Sequence, residues 1–449
     1  MLAGGTVAGQ LIALASVPVL SRLYGPEDFG VLAVYASLLA GLVVVVTLRY
    51  ETAIAVAEDE KEAASLLVLS LTVCLGVSVG SALLLALLGD SIARWTSTPS
   101  IRPYLWLVPV SGFAAGIYQS FSFWAIRERK YRRLALTKIT QNLWMVVTQI
   151  VLGALRGGPL GLVVGDGFKW AGGSSTLVAA AWRKDARLLK GVRRRALIAG
   201  ARKYWKFPLL SAPSSLANTL GQQLPALIIA GFYGPRVAGS FYLVQKVLAV
   251  PVTFVGRAIG DTYIGEFAQR LRTDRSGAQR LYRKLTRLLI TVGFPPTIVL
   301  AVGGGVLLPW ALGSQWHDAG LYLQVVAVMF LAKFVVNPLS HTLVLLQRQG
   351  TQLAWDLGRL AFVNGSIFFV ARSKATPLAA VTAYAVSMLA AYVAMYYLCR
   401  RALSSQPPLP STPHVIPSEM AIPVTAQEGV AMDDVGGMPA GATRRNVIP

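Results

Sequence analysis

The sequence predicts an all-α polytopic membrane protein of about twelve transmembrane helices, arranged as two parallel six-helix lobes around a central cavity. Three observations carry that prediction. Hydrophobic residues make up 54% of the 449 and charged residues only 14%, with a mean hydropathy of +0.56, a balance foreign to soluble domains. The apolar residues fall into runs long enough to cross about 30 Å of hydrocarbon, and the runs are continuous rather than alternating, so helices are expected and not a barrel. Finally, the stretch "LYGPEDFG" near the start has a counterpart, "FYGPRVAG", about two hundred residues later.

In order along the chain, the runs cover residues 2–21, 31–48, 63–89, 104–126, 134–155, 159–182, 207–233, 237–260, 288–312, 319–346, 353–371 and 377–399. The connections after even-numbered runs are strongly basic: "RERKYRR" from Arg127, the 183–206 stretch, and 270–287. Those after odd-numbered runs hold scattered cations such as Arg22, Arg94 and Arg236. The asymmetry places both termini in the cytoplasm. It also explains the net charge of +22 as positive-inside signal beside anionic headgroups, which argues against nucleic acid as a partner. The opening residues lack a charged region and cleavage site, so the first run is expected to stay as a helix. Cys74 and Cys399 lie inside apolar runs and read as small buried hydrophobes. The expected domains are a first lobe, 1–182; a basic linker, 183–206; a second lobe, 207–401; and a Pro- and Ser-rich disordered tail, 402–449.

An offset of 209 residues superposes Tyr24 on Tyr233, Gly25 on Gly234, Pro26 on Pro235 and Gly30 on Gly239. Six runs per copy means both copies enter the membrane in the same direction, the parallel-repeat architecture of transporters. Each turn reads as a tight hairpin cap at the outer face. Gly ends one helix, Pro starts the next, and Tyr sits at the interface with its hydroxyl in water. In the first copy Glu27 and Asp28 meet the dipole of the following helix.

A charge near the bilayer centre costs about 2.5–3.5 kcal/mol, so such residues face a cavity or a partner. Lys138, Lys169, Lys246, Arg257, Lys333 and Arg359 are the cations, and Asp166 and Asp356 the acids. The excess is cationic, which suits a polyanionic substrate. Lys138 and Lys333 have no acid within four residues. Asp166 with Lys169, and Asp356 with Arg359, are spaced i,i+3, and mutual neutralisation on one helix face is the favoured reading for both pairs. Lys246 and Arg257 have the alternative of reaching an interface. Arg22, replaced by Gly231 in the second copy, is either a cavity cation or a helix-end one. Asp166, Asp356 and His341 are the titratable candidates for ion coupling, a packed neutral imidazole being the competing reading of His341. Asn218, Gln222, Gln223, Gln141, Asn142 and Gln149 suit sugar hydroxyls or helix-to-helix bonding equally. Pro213, Pro225, Pro251, Pro295, Pro296 and Pro338 are expected to bend helices. Neither a metal nor a cofactor is called for.

With "LSRLYGPEDFG", "TLRYETAIAVAEDEKEA" and the twelve-run layout, the chain resembles the polysaccharide flippases of the multidrug/oligosaccharidyl-lipid/polysaccharide superfamily, the O-antigen and exopolysaccharide repeat-unit translocases among them. The resemblance implies a carrier of undecaprenyl-pyrophosphate-linked oligosaccharide across the bacterial inner membrane, for lipopolysaccharide or exopolysaccharide synthesis. It further implies two lobes rocking around a cationic cavity, an H+ or Na+ gradient as driving force, and polymerase and chain-length proteins as partners. Substrate contacts would then fall to Lys138, Lys333, Arg22, Lys246, Arg359 and Lys169. No G-x-x-x-x-G-K-[ST] loop occurs. A multidrug exporter of the same superfamily would bind cations through acidic cavity residues. A glycan polymerase or ligase would need a large outer loop bearing catalytic groups, whereas the longest outer connection, 90–103, holds one carboxylate.

Overall fold

The computed structural model describes residues 2–404; of the expected tail, 402–404 continue the last helix and the rest lies outside the described residues. The described chain is helical throughout, with no strand among its residues. In order the helices are α1 (Leu2–Ala15), α2 (Val17–Leu23), α3 (Pro26–Val45), α4 (Tyr50–Ala53), α5 (Glu60–Trp95), α6 (Leu107–Arg127), α7 (Tyr131–Ala154), α8 (Pro159–Lys190), α9 (Arg194–Lys203), α10 (Ala212–Thr273), α11 (Arg275–Leu312), α12 (His317–Leu339), α13 (His341–Leu345), α14 (Gln349–Arg372) and α15 (Pro377–Ser404). Every apolar run falls on a helix. Eight stretches are long and apolar enough to cross a membrane, and one of them, Phe207–Ala249, contains the seventh run and part of the eighth. The remaining runs, on α6, α7 and α8, fall outside that set, and α7 and α8 carry Lys138, Asp166 and Lys169. This is a multi-pass membrane protein.

The Tyr-Gly-Pro turns are built as helix caps. Pro26 opens α3, where its missing N–H costs least, and the Gly25 N–H donates to Asp28 Oδ2 at 2.9 Å. In the second copy Gly234, at φ 82°, is the one non-helical residue within α10 and separates its two spans; Pro235 follows it. The tyrosines depart from expectation. Tyr24 is 1% exposed, and its hydroxyl donates to the Gln149 carbonyl of α7 at 2.6 Å; Tyr233 donates to the Ala375 carbonyl at 3.0 Å. Tyr24 thereby ties its turn to α7 and Tyr233 ties its turn to the loop between α14 and α15, since a buried hydroxyl needs an acceptor and a backbone carbonyl supplies one.

More consequential is where the two turns lie. A β-carbon on Gly30 would collide with the Pro235 carbonyl, and one on Gly239 would collide with the Pro26 carbonyl and come within 2.5 Å of the Gly30 nitrogen. The two copies are therefore packed reciprocally against each other, backbone on backbone, with the fourth residue of the motif as the contact point. Further bonds join the same end. Ser97 Oγ donates to the Gly231 carbonyl at 2.8 Å, and the Ser21 carbonyl accepts from Trp316 Nε1 at 3.0 Å and Gln315 Nε2 at 2.6 Å. Trp316 is fully buried and meets Phe29 edge-on at 5.1 Å. Thus the loop after the third run of each half clasps the end of the first helix of the other half.

Away from the turns the organisation changes. One apolar cluster unites residues from both halves, from Val17 and Tyr35 to Phe241, Trp316 and Tyr384. A second cluster, at the end bearing the basic connections, joins Tyr50, Leu66, Phe121, Trp124 and Leu177 and is confined to residues 48–207. Helix α9 covers that cluster. Its Lys203 Nζ bridges Glu58 at 2.8 Å and Glu62 at 2.7 Å, bonds that hold the ammonium above its usual range. Beyond it, Phe207–Ser211 forms one π-helical turn containing Pro208 before α10 begins.

Replacing Gly30 or Gly239 by Ala forces a methyl into this backbone contact, with an expected loss of about 1–3 kcal/mol each, typical of overpacking. Gly41, where an added methyl would meet nothing within 4 Å, serves as control. Melting of the detergent-solubilised variants should fall for the first two and stay unchanged for Gly41→Ala; three equal melting temperatures would refute the packing role.

Candidate functional site

The intramembrane charges form two linked groups. In the first half of the chain, Lys138 Nζ on α7 lies 4.8 Å from the centroid of the Tyr118 ring on α6. Tyr118 in turn sits 6.0 Å from Trp170, and Lys169 Nζ lies 5.3 Å from the Trp170 centroid. Two ammonium groups are thus seated on one aromatic pair, an arrangement worth about 0.5–2 kcal/mol per contact that leaves the positive charges unneutralised. Among the described residues Lys169 makes no ion pair with Asp166, contrary to the i,i+3 expectation. Asp166 is instead within electrostatic reach of Tyr35 on α3 and of Tyr242 and Lys246 on α10. The Lys169 ammonium rests instead on the ring of Trp170, its own neighbour in sequence, while Lys246 of the second half lies within electrostatic reach of the aspartate. Tyr35 donates its hydroxyl proton to Ser111 Oγ at 2.7 Å, which fixes the ring.

The second group lies among α10, α12, α14 and α15. Arg359 is 8% exposed and bonds Asn218 Oδ1 at 3.0 Å and Asp356 Oδ1 at 3.3 Å, with its guanidinium 4.7 Å from the centre of the Trp355 ring. Here the expected i,i+3 pair is present. Its Nε is buried without a hydrogen-bond partner among the described residues. Tyr384 lies within electrostatic reach of Arg359 and exchanges hydrogen bonds with Gln245, whose Nε2 donates at 3.1 Å. Lys333 shares a small void of about 10 Å³ with Gln245, Ala249 and Phe330, and it has no ion-pair partner among the described residues. Gln245 and Lys246 are adjacent on α10, so this helix joins the two groups.

Other sequence candidates lie elsewhere. Arg22 is exposed at the end carrying the turns. His341 is half-buried at the start of α13, after the helix break at Ser340. The side chain of Arg257 lies outside the described residues. Of the polar amides, Gln223 Oε1 accepts from Ser37 Oγ at 3.3 Å between the two halves, Gln149 Nε2 donates to the Leu162 carbonyl at 3.1 Å, and Asn142 donates to the Lys138 carbonyl at 2.8 Å. These three serve packing. Cys74 and Cys399 are both free and buried.

Sequence reasoning passed over Tyr35, Tyr118, Trp170, Tyr242, Trp355 and Tyr384, since an aromatic in an apolar run carries no periodic signal of its own. It also gave Glu51 no role. That carboxylate, 1% exposed, accepts from Thr47 Oγ1 and lies 3.6 Å from Arg49. Leu48 and Arg49 both have positive φ, 49° and 64°, so the "RYE" stretch is a strained turn folded around its own glutamate.

Arg359→Leu should destabilise the fold by up to about 3 kcal/mol, the low end for a broken buried pair because Asp356 is 24% exposed. Adding Asp356→Asn should restore most of the loss, as measured by thermal melting. A double variant no more stable than Arg359→Leu would show that the pair is not the energetic unit.

Residues 19–320 match the family model described as "Polysaccharide biosynthesis protein". Among curated relatives, the teichuronic acid biosynthesis protein TuaB of Bacillus subtilis is 24% identical over 169 residues, covering 38% of this chain and 35% of its own. The lipopolysaccharide biosynthesis protein WzxC of Escherichia coli is 27% identical over 130 residues, 29% of this chain and 26% of its own. These two matches therefore span about a third or less of either relative. The succinoglycan biosynthesis transport protein ExoT of Rhizobium meliloti is 24% identical over 370 residues, 80% of this chain and 70% of its own. In solved structures the fold recurs in an inward-facing multidrug-resistance MATE transporter of the MOP superfamily, at TM-score 0.71, 13% identity and coverage of 89% and 94%. It recurs equally in the lipid II flippase MurJ in an inward closed conformation, at TM-score 0.71, 9% identity and coverage of 89% and 88%. A helical membrane protein with this fold, matched over two thirds of its length by one family model, belongs to the polysaccharide biosynthesis protein family.

Proposed function

We propose that the chain is a flippase that moves undecaprenyl-pyrophosphate-linked oligosaccharide repeat units across the bacterial inner membrane, for synthesis of a surface polysaccharide such as O-antigen or exopolysaccharide. The observation that carries this reading is that Lys138 and Lys169 in the first half are seated on aromatic rings, and Lys246 in the second lies within electrostatic reach of Asp166 without an ion pair among the described residues, so the three cations are not neutralised one by one. A pyrophosphate is a polyanion. Cations held by π faces keep their charge for it and need not break an ion pair on binding. The names of the curated relatives, all in cell-surface glycan synthesis, support the same substrate class.

Transport proceeds by alternating access between two six-helix lobes, 1–182 and 207–401, with both termini in the cytoplasm. The closed end is the one bearing the Tyr-Gly-Pro turns, where the halves meet backbone to backbone; the apolar cluster at the basic end stays within the first half and its linker, which leaves that end free to part. A headgroup entering there meets the lysines while the polyprenyl tail remains in lipid. Asp166, within electrostatic reach of Lys246 in the opposite half, is the favoured site for coupling to an H+ or Na+ gradient. Asp356 is the weaker candidate because Arg359 already occupies its carboxylate. Arg22 and His341 stand outside this path. Polymerase and chain-length proteins are the expected downstream partners, and no catalytic step on the substrate is assigned to the chain.

Deleting the gene should make lipid-linked repeat units accumulate on the cytoplasmic side while surface polysaccharide disappears. Normal surface glycan together with altered drug sensitivity would replace this reading with that of a multidrug exporter. Lys246→Gln and Lys138→Gln should each lower export about tenfold or more, the factor for one lost charge-assisted contact of roughly 1.5–3 kcal/mol, at unchanged protein level; unchanged export would remove those residues from the substrate path.

A further inference from the structure

Helix α9 is the middle of the only covalent link between the two halves, and it is docked on one of them. Gly200 faces Leu66 on α5, Tyr50 donates its hydroxyl proton to the Ala201 carbonyl at 3.5 Å, and Lys203 bridges Glu58 and Glu62. Leu197, Ala201 and Tyr204 pack on the apolar cluster beneath. These contacts fix its depth. Residues 58–66 are where α5 passes from charged to apolar sequence, the level at which a spanning helix enters hydrocarbon.

The opposite face is unusual for that position. Arg195, Ile198 and Arg202 follow one another at helical spacing on α9 and are exposed, Ile198 by 45%; Trp205, in the turn just after the helix, is exposed by 48%, and Arg194 is exposed beside them. None of the three arginines has a carboxylate partner among the described residues, and the 183–206 stretch contains a single acid, Asp185. A stripe facing water has no use for Ile and Trp, and one facing hydrocarbon has none for three arginines. Their combination matches the headgroup layer, where guanidinium groups bind phosphate and indole rings straddle the boundary.

We propose that the outer face of α9, with the turn that follows it, is a binding site for anionic phospholipid, taken from the leaflet at this end, with Arg194, Arg195 and Arg202 on the phosphates and Trp205 and Ile198 inserted among the acyl carbonyls. The bound lipid seats the first half of the chain and the linker as one body at the membrane surface. Motion of the second half then begins at the π-helical turn Phe207–Ser211, next in sequence. This site is separate from the lysines proposed for substrate.

The full-length protein, extracted into detergent with equal amounts of dioleoyl phosphatidylglycerol and dioleoyl phosphatidylcholine, is examined by native mass spectrometry for retained lipid. Wild type should retain phosphatidylglycerol preferentially, with a preference that weakens as salt rises. The triple variant Arg194→Gln, Arg195→Gln, Arg202→Gln should lose about fivefold of that preference for each arginine removed, and the corresponding Arg→Lys triple should keep most of it. Quenching by lipids brominated near the headgroup should fall in Trp205→Phe relative to wild type. Equal retention of both lipids by wild type, or unchanged preference in the Gln triple, overturns the proposal. So does retention confined to a polyprenyl pyrophosphate, which would place these arginines on the substrate path, or co-purification of an acidic protein in place of lipid.

Discussion

The approach of Gly30 to the Pro235 carbonyl, matched by that of Gly239 to the Pro26 carbonyl, sets how closely the two halves of this chain can meet. A side chain at either position would hold the helices apart by the width of a methyl group, because a backbone carbonyl cannot rotate away as a flexible side chain can. Everything else at that end follows from the closeness. Trp316 is sealed against Phe29 and bonds Ser21; Ser97 reaches the Gly231 carbonyl. Small residues at crossing helices are the usual means of dense packing in lipid, where no hydrophobic drive exists between apolar surfaces. Here they are supplied by a repeated turn, so one duplicated motif makes both sides of the contact.

That contact also accounts for the polar interior. With the halves joined at one end, α3 packs along α10, where Ser37 meets Gln223 of its first span, and Asp166 on α8 lies within electrostatic reach of Tyr242 and Lys246 on its second. The lysines farther from the boundary are held by aromatic rings, not by acids. A charge on a π face keeps its field, whereas a charge in a salt bridge largely cancels it. Arg359 is the exception. Bonded to Asp356 and Asn218 and stacked on Trp355, it is spent on the packing of α10 against α14. The interior thus contains both kinds of cation, and the difference between them is visible only in their partners.

The basic end is built on a different plan. Arg127 donates to the Ala57 carbonyl at 2.5 Å, Lys130 and Lys184 share Glu128, and Lys203 shares Glu58 with Glu62. These bonds knit the connections of the first half to the linker and reach no residue of α10 beyond it. A structure clasped across its halves at one end and within one half at the other is mechanically asymmetric, which suits rocking about the clasped end. In the mechanism we propose, the linker helix marks the boundary between the anchored half and the moving one.

The sequence by itself determined the membrane class, the helical course of the apolar runs, and the repeated turn. All of these are properties of composition and periodicity, which survive without knowledge of neighbours. It also identified the Tyr-Gly-Pro stretches as helix caps, since Gly and Pro act on their own backbone. Tertiary structure alone decided that the two caps face each other, that Tyr24 turns inward to the Gln149 carbonyl, that Lys246 of the second half comes within electrostatic reach of Asp166, and that Asp356 pairs with Arg359. The two i,i+3 pairs are indistinguishable by spacing. What separates them is that Arg359 is held by Asn218, which comes from a helix distant in the chain where no local rule reaches, whereas Lys169 rests on Trp170, its neighbour in sequence, whose ring is paired with Tyr118 of another helix.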